Sequence, residues 1–194
     1  MNTTGRNDHT KNALASALAK AMEKKPIQKI SVQELTDVCG IRRQTFYYHF
    51  PDVYALLGWT LERDRAAFER EQANLLCWQE YALMLLRFLG KNKKRYVGIC
   101  SCMGWRFIER FYRDELGGVA EKAVNYYFAG RGADKKYVAF VSSFCTSSAL
   151  ALMGSWILGE LDYSPEEIVG FLDTLSRDAV RGAEQRQLFA ESAE

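Results

Sequence analysis

Residues 40–50 read GIRRQTFYYHF, and residues 31–39 ahead of them read SVQELTDVC. Ser31 followed three residues later by Glu34 is a helix-start pattern, because the serine hydroxyl and the glutamate carboxylate can each satisfy the other's free backbone N–H. Gly40 then supplies the left-handed conformation that turns a chain sharply out of a helix. A second short helix is predicted from Arg42 to Phe50. On it Phe46 and Phe50 lie four residues apart on one face, and with Ile41 they are expected to turn inward toward Leu35, Val38 and a preceding helix.

Two short helices joined by a tight glycine turn, with a third packed behind, make a helix-turn-helix whose second helix fits the major groove of B-DNA. Arginine bonds guanine edges, glutamine bonds adenine, and threonine or an aromatic ring meets the thymine methyl. Arg43, Gln44, Thr45 and Tyr48 hold that vocabulary, and Arg42 stands beside them. With Phe46 and Phe50 inward, residues 44 and 48 share one outer strip and residues 43 and 47 the next, leaving Tyr47 and His49 for flanking phosphates. Aromatics at helical spacing are usually core, and that reading is adopted for Phe46 and Phe50. The remaining residues are too polar for a core and too aromatic for an idle surface.

Working outward, helical spacing dominates and strand-like alternation is scarce, with prolines only at 26, 51 and 165. The expected fold is all-α: an N-terminal three-helix DNA-binding domain over 1–54, then a helical regulatory and dimerisation domain over 55–194. The first helix is predicted to start near Thr10, to place Leu14, Leu18 and Met22 on one face, and to stop at Pro26. A long helix runs from Val53 into the mixed charges of Arg63–Glu71. Another covers Trp78 to Phe88, breaking at Gly90 before Lys91-Asn-Lys-Lys-Arg95. Further helices are predicted over roughly 94–116 and 118–129. The loop GRGAD follows at 130–134, with Arg131 between its glycines. Asp134 caps a helix reaching Gly159, and Ser164-Pro-Glu-Glu167 opens the last one, which fades after about Arg186.

The 26 basic and 24 acidic side chains nearly cancel, so their distribution matters more than the net +2. Up to Tyr54, Arg6, Lys11, Lys20, Lys24, Lys25, Lys29, Arg42 and Arg43 outweigh Asp8, Glu23, Glu34, Asp37 and Asp52, an excess suited to phosphate. Cysteines 39, 77, 100, 102 and 145 lie in apolar runs without paired spacing, and are expected to be reduced core thiols. The polar N-terminus has no hydrophobic signal-peptide core, and no run of about 18 residues escapes polar interruption. A cytoplasmic protein is expected.

Only two histidines occur, His9 in an N-terminal tail and His49, leaving little material for acid–base catalysis, and no phosphate-binding or dinucleotide fingerprint is present. No enzyme and no cofactor is therefore expected. Cys100 and Cys102 point about 200° apart on a helix, so joint metal ligation needs a break at Gly98 or Gly104. A helical protein-interaction module and a metal or thiol sensor without sequence-specific DNA binding stay open as alternatives.

The segment from Ile30 to Leu57, ISVQELTDVCGIRRQTFYYHFPDVYALL, resembles the DNA-binding domain of the TetR family of transcriptional regulators. The family's Tyr-x-His-Phe signature is Tyr47-Tyr48-His49-Phe50 here. RQTFYYHF with the following Tyr54, Leu56-Leu57 and Gly58-Trp59 is similar to the branch of dihydroxyacetone kinase regulators. The likeness covers about a quarter of the chain, with a further one around SALALMGSWILG and SPEE. It implies that Thr10 or Lys11, Ser31 and Val32 lie against the DNA backbone and that Gln33 reaches bases. Val53 departs from the family, most of whose members carry a phosphate-gripping lysine there, and Tyr54 is left to take part of that contact.

Reading helices come in pairs about 34 Å apart, set by a dimer. The resemblance places the homodimer interface on the last two helices, for which Ser148, Leu152, Trp156, Ile168, Phe171, Leu172 and Leu175 are the candidates. It also implies an effector cavity in the aromatic-rich middle, with Trp105, Arg106, Glu109, Tyr126, Tyr127 and Phe144 as candidates and Arg110 and Asn125 as further polar groups. The expected partners are a double-stranded, near-palindromic operator, a second copy of the chain, and a small-molecule effector or protein coregulator. No membrane is expected.

Overall fold

The computed structural model describes residues 3–71, 77–130 and 134–185. These residues are all-α: α1 (Thr3–Met22), α2 (Val32–Cys39), α3 (Arg43–His49), α4 (Val53–Glu71), α5 (Trp78–Lys91), α6 (Lys93–Met103), α7 (Trp105–Phe128), α8 (Lys135–Leu158) and α9 (Pro165–Gln185). They form two compact units. One comprises Met1–Arg70 with Asn92–Phe111, the other Glu71–Lys91 with Tyr112–Glu194. Of the predicted loop at 130–134, residues 131–133 lie outside the described residues, as does the tail from Arg186 onward.

In the first unit α1 begins at Thr3, not near Thr10. Upstream of Thr10 there is no proline and a single glycine, so nothing stops a nucleated helix from propagating. Thr10 therefore does not cap the helix, and His9 is an exposed helical residue, not part of a tail. Leu14 and Leu18 are buried as the spacing requires, whereas Met22 is only half-buried. Past Pro26, a single 3-10 turn over Ile27–Lys29 buries Ile27, an element the helical spacing did not reveal. Gln28 Nε2 donates from this turn to the Cys102 carbonyl of α6 at 3.3 Å.

The break predicted at Gly90 falls instead at Asn92, between α5 and α6. Gly90 lies inside α5, where a Cβ would stand 3.2 Å from the Trp156 ring, closer than ordinary contact. Likewise, the boundary expected near residue 117 lies at Gly104, whose φ of 76° and ψ of 159° end α6. α7 then runs unbroken through Gly117 and Gly118.

The second unit closes on Tyr81, Leu85, Leu89, Tyr112, Leu116, Leu150, Met153, Trp156 and Ile157, all buried. Two polar ties hold α5 to α9: Arg87 to Glu166 at 2.7 Å and Gln79 to Asp173 at 2.9 Å. Asp134 caps α8 by accepting from the Lys136 N–H at 3.1 Å. Gly159, at φ 81°, ends it with paired bonds back to the Ser155 and Trp156 carbonyls. At the start of α9 the Ser164 and Glu167 pair forms both halves of its reciprocal cap.

Candidate nucleic-acid interface

Ser31 caps α2 by accepting from the Glu34 N–H at 3.2 Å. The return half of that predicted box is replaced, because the Glu34 carboxylate pairs with Lys25 at 2.6 Å. Gly40, at φ 65° and ψ 30°, ends the helix. Its N–H bonds the Asp37 carbonyl and the Ile41 N–H bonds the Thr36 carbonyl, which satisfies two carbonyls of the last turn. Val38, expected inside, is 69% exposed. The buried face of α2 centres on Leu35 and Thr36 instead, and Thr36 tolerates burial because its hydroxyl donates to the Gln33 carbonyl at 2.9 Å.

α3 is anchored by its two phenylalanines. Phe46 is fully buried and Phe50 nearly so; their ring centroids are 6.0 Å apart, and Phe50 meets Trp59 of α4 at 5.8 Å. That anchoring fixes which residues face out. Arg42 precedes the helix with an extended backbone and makes no side-chain cap bond. Arg43 and Gln44 are exposed, Thr45 and His49 are half-buried, and Tyr47 and Tyr48 are exposed at 50% and 75%. Arg43 Nη2 donates to the Tyr47 hydroxyl at 3.3 Å.

Around the helix, Lys11 lies half-buried with its ammonium 5.8 Å from the Trp59 ring centroid. Burial, helped by the Lys11 charge, holds the His49 imidazole below its ordinary pKa. Ser31 is exposed and Val32 half-buried at the start of α2, while the exposed Gln33 donates from Nε2 to Asp37 at 2.6 Å. Val53 is buried and Tyr54 partly exposed in the first turn of α4, a turn capped by Asp52 accepting from the Ala55 N–H at 2.8 Å.

The six candidates for an effector cavity are divided between the two compact units. Trp105, Arg106 and Glu109 belong to the first unit and Tyr126, Tyr127 and Phe144 to the second. Tyr126 and Phe144 are exposed at 79% and 63%, and the Tyr127 hydroxyl accepts from Trp78 Nε1 at 3.5 Å. An open groove of about 660 Å³ lies between α7 and α8, lined by residues including Glu121, Asn125, Phe128, Lys135, Val138 and Ser142. Asn125 and Phe128 are the side chains there that the sequence had suggested for the aromatic-rich middle. Glu121 and Lys135 gave no signal, since a glutamate and a lysine on two consecutive helices look like ordinary surface.

Of the interface candidates, Phe171 and Leu175 are open at 53% and 65%, and Ser148, Leu152 and Leu172 are half-buried. Trp156 and Ile168 are core residues of the second unit, with Trp156 Nε1 donating to the Tyr163 carbonyl at 2.8 Å. Phe140, which belongs to the aromatic-rich middle, and Leu158, which was not among the interface candidates, are also exposed on α8. Their helical spacing with Phe144 and Ala151 was the signal.

The five cysteines are unpaired, but they are not all core thiols as expected: Cys77 is exposed, and Cys39, Cys102 and Cys145 are half-buried. Burial pushes the Cys100 thiol up to about 11, and α6 continues without a break from Lys93 to Met103.

A left-handed glycine between two short helices, the second anchored by aromatics and polar on its outer face, defines a helix-turn-helix protein. Residues 77–178 match the TetR_C_8 family, described as the transcriptional regulator C-terminal region. Over 90 residues the chain is 34% identical to the HTH-type dhaKLM operon transcriptional activator DhaS of Lactococcus lactis subsp. lactis (strain IL1403), covering 46% of this chain. The match spans about half of that relative, 48% of its length. A solved structure of the dihydroxyacetone kinase operon activator DhaS is similar in fold, with a TM-score of 0.69 and 23% identity over 89% of this chain and 96% of that one. The chain belongs to the TetR family of transcriptional regulators.

Proposed function

We propose that the protein binds a near-palindromic duplex operator as a homodimer, in the cytoplasm and without catalysing a reaction. Residues 1–54 serve as the DNA-binding part and residues 55–194 as the regulatory and dimerisation part. The observation that carries this reading is α3 itself: Arg43, Gln44, Tyr47 and Tyr48 stand exposed over the buried Phe46 and Phe50. Arg43, Gln44, Thr45 and Tyr48 are assigned to base edges, with Gln33 beside them. Lys11, Ser31, Val32, Arg42, Tyr47, His49 and Tyr54 are assigned to phosphates.

The open apolar positions Phe140, Phe144, Leu158, Phe171 and Leu175 support pairing of α8 and α9 with their twofold copies. α8 is by length and composition apolar enough to cross a membrane. Its burial of Thr146, Leu150, Met153 and Ile157 on one face favours a protein interface instead. Control by a small effector or a protein coregulator completes the reading, and the name of the Lactococcus relative favours activation.

The test is binding of folded Arg43→Ala and Tyr48→Ala proteins to the preferred duplex. Loss of about 1–3 kcal/mol is expected for the arginine, concentrated at one base pair. Unchanged affinity in both variants would remove the recognition-helix assignment.

A further inference from the structure

We propose that Tyr47 is a positioning residue for Arg43, holding the guanidinium in place before DNA arrives. The inference rests on the DNA-reading role given to α3 above and concerns how that reading is made selective. The two residues sit one helical turn apart, at the spacing that brings side chains together. Arg43 Nη2 donates to the Tyr47 hydroxyl at 3.3 Å, and its guanidinium carbon lies 5.9 Å from the ring centroid. The ring is in turn packed edge-on to Phe46, with centroids 5.6 Å apart and planes at 85°, and Phe46 is fully buried. The constraint therefore runs from the core, through the tyrosine ring, to an exposed cation.

An unrestrained arginine surrenders the freedom of a long side chain when it docks, and a partner that restricts it beforehand reduces that loss. The contact also leaves the rest of the chemistry available. Only one of the five guanidinium N–H groups is used, and the remaining donors suffice for the two bonds that guanine accepts. The Tyr47 oxygen accepts from Arg43 while its own proton stays free to donate to a phosphate oxygen. Tyr47 thereby links the contact that sets register on the backbone to the contact that reads a base.

The experiment compares the preferred duplex with each of its single-base-pair variants, using the full-length protein, Tyr47→Phe, Arg43→Ala and the double variant. Thermal melts verify that each is folded. Arg43→Ala is expected to reduce preference at one base pair by at least about fivefold. Tyr47→Phe keeps the ring but removes the acceptor, and should reduce preference at that same base pair by about two- to fivefold, with preferences elsewhere intact. In the Arg43→Ala background Tyr47→Phe should have no further effect on preference. Uniform weakening on every duplex, with the preference at that base pair retained, would overturn the proposal, since that is the signature of a phosphate contact alone. Preference lost in Arg43→Ala but retained in Tyr47→Phe would sink the positioning role and leave the base-reading role standing. Preferences unchanged in Arg43→Ala would overturn both.

Discussion

Arg95 of α6 donates from Nη1 to Asp64 Oδ2 of α4 at 2.6 Å, and both side chains are largely buried, at 15% and 17% exposure. The other Asp64 oxygen accepts from Arg63 at 2.8 Å. Arg63 in turn donates to the Asn12 side chain of α1, also at 2.8 Å. α6, α4 and α1 are joined by one continuous chain of charge-assisted bonds within the first unit. Asp64→Ala leaves two cations facing one another without their carboxylate, and should cost about 2–3 kcal/mol in chemical denaturation. Adding Arg95→Met should recover part of that loss; no recovery would place the cost elsewhere than in the unpaired charge.

Leu175 is 65% exposed and Phe171 53%, so neither supports the fold of a single copy by burial. Leu175→Glu should leave helix content unchanged and shift sedimentation from dimer to monomer at micromolar concentration. Operator affinity should fall with it, because two reading helices are then no longer held at a fixed spacing. A dimer that survives both Leu175→Glu and Phe171→Glu would move the interface to another face.

Burial first, and the Lys11 charge second, lower the His49 pKa below its ordinary 6.5. The unfolded chain therefore binds the proton more readily between 6.5 and the folded value, and stability contributed by neutral His49 is present above that window and lost as pH falls through it. A phosphate acts in the opposite direction, favouring the imidazolium. Operator binding should thus take up a proton and strengthen as pH falls below about 6.5. His49→Gln should abolish both trends, which calorimetry in buffers of different ionisation enthalpy will read.

Val53 is buried in the first turn of α4, so it leaves that position without a cation. Val53→Lys should cost about 1 kcal/mol of stability, since the aliphatic stem replaces only part of the buried surface. In exchange, the logarithmic salt slope of DNA binding should steepen by about one unit. A steeper slope is the result that marks Val53 as the missing phosphate contact.

Features governed by local backbone chemistry were legible in the sequence. Gly40 and Gly159 end their helices in the left-handed conformation, Asp134 caps α8, and Ser164 pairs with Glu167. Each depends on residues within a few positions of one another. Features set by distant packing were hidden. Gly90 reads as a breaker, yet it lies inside α5 with the Trp156 ring packed close beside it. Val38 looks apolar enough for the core, yet Thr36 takes the buried place by satisfying its own hydroxyl. The effector candidates came from the family resemblance and the aromatic-rich middle, and neither reports that they divide between two compact units.

The most direct test of the central claim is selection of bound sequences from random duplex DNA, followed by titration of the winner at several salt concentrations. A twofold-symmetric winner is expected, with half-sites about one helical turn apart, or a multiple of it, and a steep fall in affinity with salt. Enrichment of a single asymmetric half-site would contradict the dimeric reading. No enrichment, with binding insensitive to salt, would contradict DNA recognition by α3.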